Sequence, residues 1–268
     1  MGAYNSEATI MESIRSIQAQ TFADWEFIIC DDASTDQTRA IVQDCSKTDP
    51  RIHLIFNPSN IGLARTLNRC AEVAHGEYFA RQDADDISVP QRLSALVSAL
   101  DEHPRQALVS SWMTCFDEGG EWGLIRTKAY PETLDLVGGP PFCHAPCMIR
   151  RAVFEELRGY GQQPWLRRGQ DYDLWFRLYA AGHTGMNLQL PLYRMRNDHA
   201  ALRRRNLRTR WSGFLVEWYG YKLLGFDLWI RLRAVRSLFL WVLPDRLYSY
   251  LYRRRLSANL ADWSGVEK

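Results

Sequence analysis

Three groups of carboxylates each follow a strand-like segment: Asp31-Asp32 after EFIIC, Asp83-Ala84-Asp85-Asp86 after EYFARQ, and Asp171 with Asp173 in GQDYDLWFRL. In open α/β sheets, ligands bind beyond the carboxyl ends of the strands. Carboxylates gathered there repel one another unless a cation or a donor-rich ligand compensates them. A divalent metal carrying a nucleotide diphosphate would supply both. Asp83 and Asp85 alternate, so on an extended segment they point to the same side. One such carboxylate suffices for Mg²⁺, which takes one or two from protein and fills its shell with phosphate oxygens and water.

These residues need a scaffold, and the first hundred residues alternate helix and strand patterns. Ser6, with Glu7 and Thr9, is placed to cap a helix whose Ile10, Ile14 and Ile17 share one face. Strand patterns cover 25–30, 52–56 and 77–80, and helix patterns cover 36–45 and 63–74, with Gly76 in the C′ position of the latter. Pro90 opens a further helix through residue 100, and 171–181 is strongly helical. Repeated βα units of this length imply a mostly parallel sheet flanked by helices. The alternation begins with a helix, however. The strand expected before GAYN is missing, which points to truncation or a misplaced start.

At 268 residues, the chain has room for one large α/β domain and an appendage. With 46% hydrophobic and 24% charged residues it is a globular chain, which excludes a disordered one. The net charge of +2 hides an asymmetry: residues 203–255 hold thirteen Lys/Arg against three Asp/Glu, so the remainder carries −8 (2 minus 10). The six cysteines lack paired spacing, which suits reduced thiols in a cytosolic setting. Cys143, His144 and Cys147 have no second ligand pair at zinc-finger spacing and read as packing. No secretory signal and no run of 18 apolar residues is present. MGAYNS matches a short myristoylation pattern that chance easily produces, and it reads better as a strand end leading to a helix.

Six segments in order, GAYNSE, QTFADWEFIICDDASTDQT, NIGLARTLN, GEYFARQDADDISVPQRL, HAPCMIRR and GQDYDLWFRL, resemble the inverting family-2 glycosyltransferases of the GT-A fold that build bacterial surface polysaccharides. The resemblance runs from Gly2 to about Arg196. It implies that Asp32 binds the uracil of a UDP-type donor, as a carboxylate accepting from the ring N3–H. The alternative is that Asp31, Ser34 and Asp36 merely cap the next helix. Tyr4 falls at the base-stacking position. Asp83 corresponds to the nucleoside contact and Asp85 to the ligand of Mg²⁺ or Mn²⁺, with Arg81 steadying this loop or the diphosphate. Asp171 corresponds to the base that takes the proton of the acceptor hydroxyl. Here Gln170 replaces the commoner acidic neighbour, and Asp173 is placed to cap the helix. His144 would line the acceptor side and Trp165 would stack on a sugar face, although a satisfied loop histidine and a buried tryptophan are the plainer readings. Arg203 to Arg205 are placed as a lid.

The expected organisation is a catalytic domain over 1–200 and a basic, aromatic-rich helical tail over 201–268. Residues 203–255 hold twelve aromatic residues, and charge interrupts their apolar runs too often for a transmembrane span. An amphipathic helix in the headgroup region fits, against a helical hairpin packed on the domain; helical spacing argues against nucleic acid. The resulting expectation is a metal-dependent enzyme moving a sugar from a nucleotide-diphosphate donor to a glycan or lipid-linked acceptor. It would be cytoplasmic and peripheral at the inner face of the membrane. An inactive nucleotide-sugar-binding scaffold and a sugar nucleotidyltransferase are the alternatives; the Gly-rich phosphate loop of the latter class is not found.

Overall fold

The computed structural model describes residues 1–166, 168–197, 207–239 and 245–264. The chain opens with β1 (Gly2–Ala3), α1 (Ile10–Gln18), β2 (Phe27–Asp31), α2 (Thr38–Thr48), β3 (Ile52–Phe56) and α3 (Leu63–Val73). Strands β1, β2 and β3 form a parallel sheet in that order. All five residues of β2 are buried, as expected for a strand covered on both faces. The expectation of a missing first strand is corrected. A short β1 exists: the Met1 amine donates to Ile28 O at 2.7 Å and Cys30 N donates to Met1 O at 2.9 Å.

A second, six-stranded sheet follows. Its strands are β4 (Tyr78–Ala80), β5 (Ile87–Ser88), β6 (Gln106–Asp117), β7 (Gly120–Ile125), β8 (Met148–Arg150) and β9 (Thr184–Arg196), with α4 (Arg92–Glu102), α5 (Arg151–Glu156) and α6 (Gln170–Ala180) between them. The order is β4-β8-β6-β9-β5, with β7 also on β6. Long β6 pairs parallel with β9 and antiparallel with β7 and β8. The parallel character thus lies in the first sheet and in the β6–β9 pair. The main core lies between this sheet and α6, where fully buried Trp175 meets the Phe142 ring edge-on at 5.5 Å. A cavity of about 730 Å³ separates the sheets, walled by Phe27 and Ile28 of β2 and by Tyr78 and Ala80 of β4.

Two capping expectations fail locally. α1 starts at Ile10 after Thr9, and Ser6 instead closes a turn through its carbonyl, which accepts from Thr9 N and Ile10 N. α3 ends at Val73, and Gly76 uses its N–H to donate to Glu26 Oε1 at 2.9 Å, not to finish the helix.

The tail is helical: α7 (Leu207–Leu223), α8 (Leu228–Leu232), α9 (Arg236–Phe239) and α10 (Asp245–Ser264). It is not one amphipathic helix lying free of the domain. Val216 and Tyr221 of α7 are buried in the main core, and α7 approaches α6 so closely at Gly220 that a Cβ there would collide with the Phe176 ring. α10 lies on β7. Arg253 pairs with Asp117 at 2.7 Å, Ser257 Oγ donates to Trp122 O at 2.8 Å and Asn259 Nδ2 to Leu124 O at 3.0 Å. The packed alternative is therefore what the helices adopt. Among the described residues no helix is long and apolar enough to cross a membrane. The boundary expected at 200/201 and the lid expected at Arg203 to Arg205 lie outside the described residues.

Candidate active site

The first half of the site is built where β1 and β2 end. Asn5 and Ala33 both take positive φ (49° and 62°), turning the chain sharply after each strand. The two loops are then laced together: Thr35 N donates to Asn5 Oδ1 at 2.9 Å, Ser6 N to Thr38 Oγ1 at 2.7 Å and Gln37 N to Glu7 Oε2 at 2.9 Å. Tyr4 sits in this lacing, half exposed to solvent. Asp32 is buried behind it, where Oδ1 accepts from Asn57 Nδ2 at 2.7 Å and Ile61 N at 2.9 Å, and Oδ2 from Gly62 N at 2.9 Å. A carboxylate has about four acceptor positions, so Oδ2 retains one. Asp36, not Asp32, reaches α2, accepting from Thr38 N at 3.0 Å.

The second half is the acidic loop after β4. The expectation that Asp83 and Asp85 alternate along an extended segment is corrected, because Ala84 and Asp85 lie in a turn. Gln82 causes it: its buried Nε2 donates to Asp86 O and to Ser13 Oγ, both at 2.9 Å, pulling the two ends of the loop together. Ser13 Oγ donates to Asp83 O at 2.7 Å and Thr9 Oγ1 to Ala84 O at 3.0 Å, so α1 holds the loop from below. Arg81, buried, donates to Asp83 Oδ1 at 2.5 Å. Asp85 is left exposed at the tip. Asp86 is buried, and its carboxyl is pushed up to about 8 by that burial and by the charges of Asp83 and Asp85.

The third component comes from α6. Gly169 in the left-handed region (φ 83°) turns the chain into the helix, and Asp171 falls in its first turn. Burial raises the Asp171 carboxyl above the ordinary carboxylate range. Its Oδ2 lies 4.0 Å from His144 Nδ1. That nitrogen is hydrogen-bonded to Arg81, which has only donors to offer, so Nδ1 is the acceptor and Nε2 carries the proton. Nε2 then donates to the Tyr160 hydroxyl at 2.8 Å. Burial, reinforced by Arg81, holds His144 well below its usual range and hence neutral. Asp173 does not cap the helix: it pairs with Arg177 one turn on, at 2.9 Å, and Arg177 also bonds Gly159 O.

Arg81, Asp83, His144 and Asp171 are therefore one connected cluster, with Asp85 on the same loop and Asp32 and Tyr4 at the neighbouring strand ends. Trp165 is elsewhere, its ring against Tyr219 of α7 at 5.4 Å. Sequence reasoning missed four supporting residues. They are Tyr160, Asn57 and Tyr193, whose hydroxyl accepts from Asp83 N at 3.0 Å, and Arg196, whose backbone N–H donates to Asp86 Oδ1 at 2.8 Å. None carries a local signal, because each partner is more than 15 positions away in sequence.

Among the described residues no three His, Cys, Asp or Glu side chains are grouped to hold an ion unaided. Cys143 and Cys147 are each pushed up to about 12 by burial and stay protonated. The acidic loop does suit an ion that draws most of its shell from a ligand. It holds an exposed carboxylate at its tip, a half-buried one beside it, and negative charge that adds to burial in raising the Asp86 carboxyl.

The family model for glycosyl transferase family 2 matches residues 1–158. The chain is 37% identical over 257 residues to the glycosyltransferase named EpsE of Bacillus subtilis, covering 96% of this chain and 92% of that one. Among solved structures it resembles S. aureus TarS in complex with UDP, with a TM-score of 0.66 at 19% identity over 88% of this chain and 69% of the other. It also resembles the mannosyltransferase PcManGT from Pyrobaculum calidifontis in complex with GDP-Man and Mn²⁺, with a TM-score of 0.59 at 19% identity over 93% of this chain and 77% of that one. A parallel three-stranded sheet beside a mixed sheet that carries an acidic loop is the GT-A arrangement, and this chain belongs to glycosyltransferase family 2.

Proposed function

We propose that the protein is a metal-dependent inverting glycosyltransferase of cell-surface polysaccharide synthesis. It moves a sugar from a UDP-type donor to a glycan or lipid-linked acceptor at the cytoplasmic face of the membrane. The observation that carries this reading is Asp171. It is a carboxylate raised by burial at a helix start, tied through His144 and Arg81 to the acidic loop. The TarS–UDP and PcManGT–Mn²⁺ likenesses support the choice of donor and ion.

In this reading Tyr4 covers one face of the base and Asp32 accepts from it through its remaining Oδ2 lone pair. Asp83 holds the nucleoside while Arg81 fixes the carboxylate's orientation. Asp85 holds Mg²⁺ or Mn²⁺, which when bound neutralises charge developing on the departing diphosphate. Asp171 takes the proton of the acceptor hydroxyl as that oxygen bonds to the anomeric carbon and the bond to the diphosphate breaks. Its raised proton affinity suits that task.

Donor hydrolysis measured with Mn²⁺ present should fall about tenfold or more in Asp85→Ala, since the ion's stabilisation of the leaving group is worth several kcal/mol. Equal hydrolysis by parent and variant would remove Asp85 from the metal site. The acid limb supplies a second check. The base works ionised and its proton is held more tightly than usual, so kcat/KM should decline on acidification above the ordinary carboxylate range. A pH–rate profile that stays flat down to that range would exclude Asp171 as the titrating group.

A further inference from the structure

We propose that the corner formed by the end of α7 and by α8 is a docking surface for an anionic lipid membrane, seated so that the loop leading to Asp171 faces the lipid. This deepens the reading of a transferase with a membrane-bound acceptor, and rests on it. Most tail side chains are already used: α7 is buried against α6, and α10 lies on β7. Of the exposed large apolar side chains described in the tail, five gather at this corner, while Trp211, Tyr250 and Leu251 lie elsewhere. Trp229 is 80% exposed, Leu228 58%, Leu223 52%, Tyr219 50% and Leu232 43%.

Tyr219 and Leu223 are one helical turn apart on α7, and Leu228 and Leu232 one turn apart on α8. Gly225, at φ 72°, makes the tight connection between the two helices. Single exposed apolar residues are ordinary, whereas five around one turn form a patch that a soluble surface does not need. A tryptophan at the tip with leucines beside it is the composition of an interfacial contact.

Charge selects the partner. Lys222 and Arg233 are exposed beside the patch. Asp227 is the acid of the corner, and its Oδ1 is engaged as the α8 cap, accepting from Ile230 N at 2.9 Å. The corner belongs to a segment with thirteen basic and three acidic residues. An anionic bilayer attracts such a segment, while a second copy of the same corner would meet like charge. Geometry connects it to the chemistry. Tyr219 lies against Trp165, and Ser212 Oγ donates to Arg168 O at 3.0 Å, so α7 holds Trp165 and Arg168 just ahead of Asp171. An acceptor anchored in that bilayer would present its head group at this loop.

The full chain should co-sediment with phosphatidylcholine vesicles containing phosphatidylglycerol and not with phosphatidylcholine alone. The exposed-site variant Leu228→Ser/Trp229→Ser should bind about tenfold more weakly or worse, with donor hydrolysis in solution equal to the parent's. Lys222→Glu/Arg233→Glu should weaken binding and reduce its salt dependence. Undiminished binding by the first variant would overturn the assignment, as would a parent that ignores vesicle charge. So would a concentration-dependent dimer dispersed by the same substitutions, because the corner would then be a self-contact. Vesicle binding by a protein inert toward every nucleotide sugar would support the surface while removing the transferase reading.

Discussion

Asp171→Asn should bind a nucleotide donor as the parent does and lose transfer by about 10²- to 10⁴-fold, the usual contribution of a positioned general base. The substitution keeps size and position at the start of α6 and removes only the proton affinity. Among the described residues no imidazole is placed to substitute. The nearest imidazole, His144, is neutral, with Nδ1 taken by Arg81 and the Nε2 proton given to Tyr160. Donor affinity by calorimetry and product formation with an acceptor preparation separate the two effects. A variant that transfers at the parental rate removes Asp171 from catalysis; one that loses donor affinity equally makes its role structural.

Asp32→Ala should be the most destabilising of the site substitutions, by about 3–5 kcal/mol. The carboxylate satisfies Asn57 Nδ2, Ile61 N and Gly62 N within a buried setting. Each donor left unpaired costs about 1–3 kcal/mol, partly relieved by entering water. The loss falls on the Asn60 to Gly62 turn that starts α3, whose Thr66 packs beneath Gly2 of β1. Nucleotide affinity should therefore fall together with the urea midpoint. Asp32→Asn should lie between, since it keeps an acceptor for Ile61 and turns an amide toward the Gly62 donor. An Asp32→Ala variant with the parent's midpoint would show that the turn does not depend on this carboxylate.

The elements that could be read in the sequence were those whose signal is periodic and local. The Ile10, Ile14 and Ile17 stripe of α1 and the buried run of β2 stand where their patterns place them. The acidic residues were legible as types but not as geometry. Nothing in DADD announces that Gln82 folds the segment into a turn, because its partners Ser13 and Asp86 answer to tertiary contacts. Asp173 fits a capping position, yet a cation one helical turn away captures it. Trp165 was read through its type alone, and its partner on α7 lies 54 residues on. The tail's composition suits either water–lipid boundaries or packing; Gly220 against Phe176 and Gly123 under Leu256 decide for packing over most of its length.

The cavity between β2 and β4 has a mechanical consequence. Among the described residues no ladder joins the two sheets: the first ends at β1, and β4 pairs with β8 at the edge of the second. The two sheets are coupled instead through α1. Gln20 and Thr21 at its far end bond Val89 O and Pro90 O, and Thr9 and Ser13 at its near end bond the carbonyls of Ala84 and Asp83. A void between two sheets yields more readily than a close-packed sheet. Any rocking of one sheet on the other is thus geared through α1, with α3 as a second link, where Asn68 Nδ2 donates to Tyr160 O at 2.9 Å and Tyr160 N to Asn68 Oδ1 at 2.8 Å. The output of that gear is the acidic loop, so the spacing between Asp32 and Asp171 and the pose of Asp85 change together.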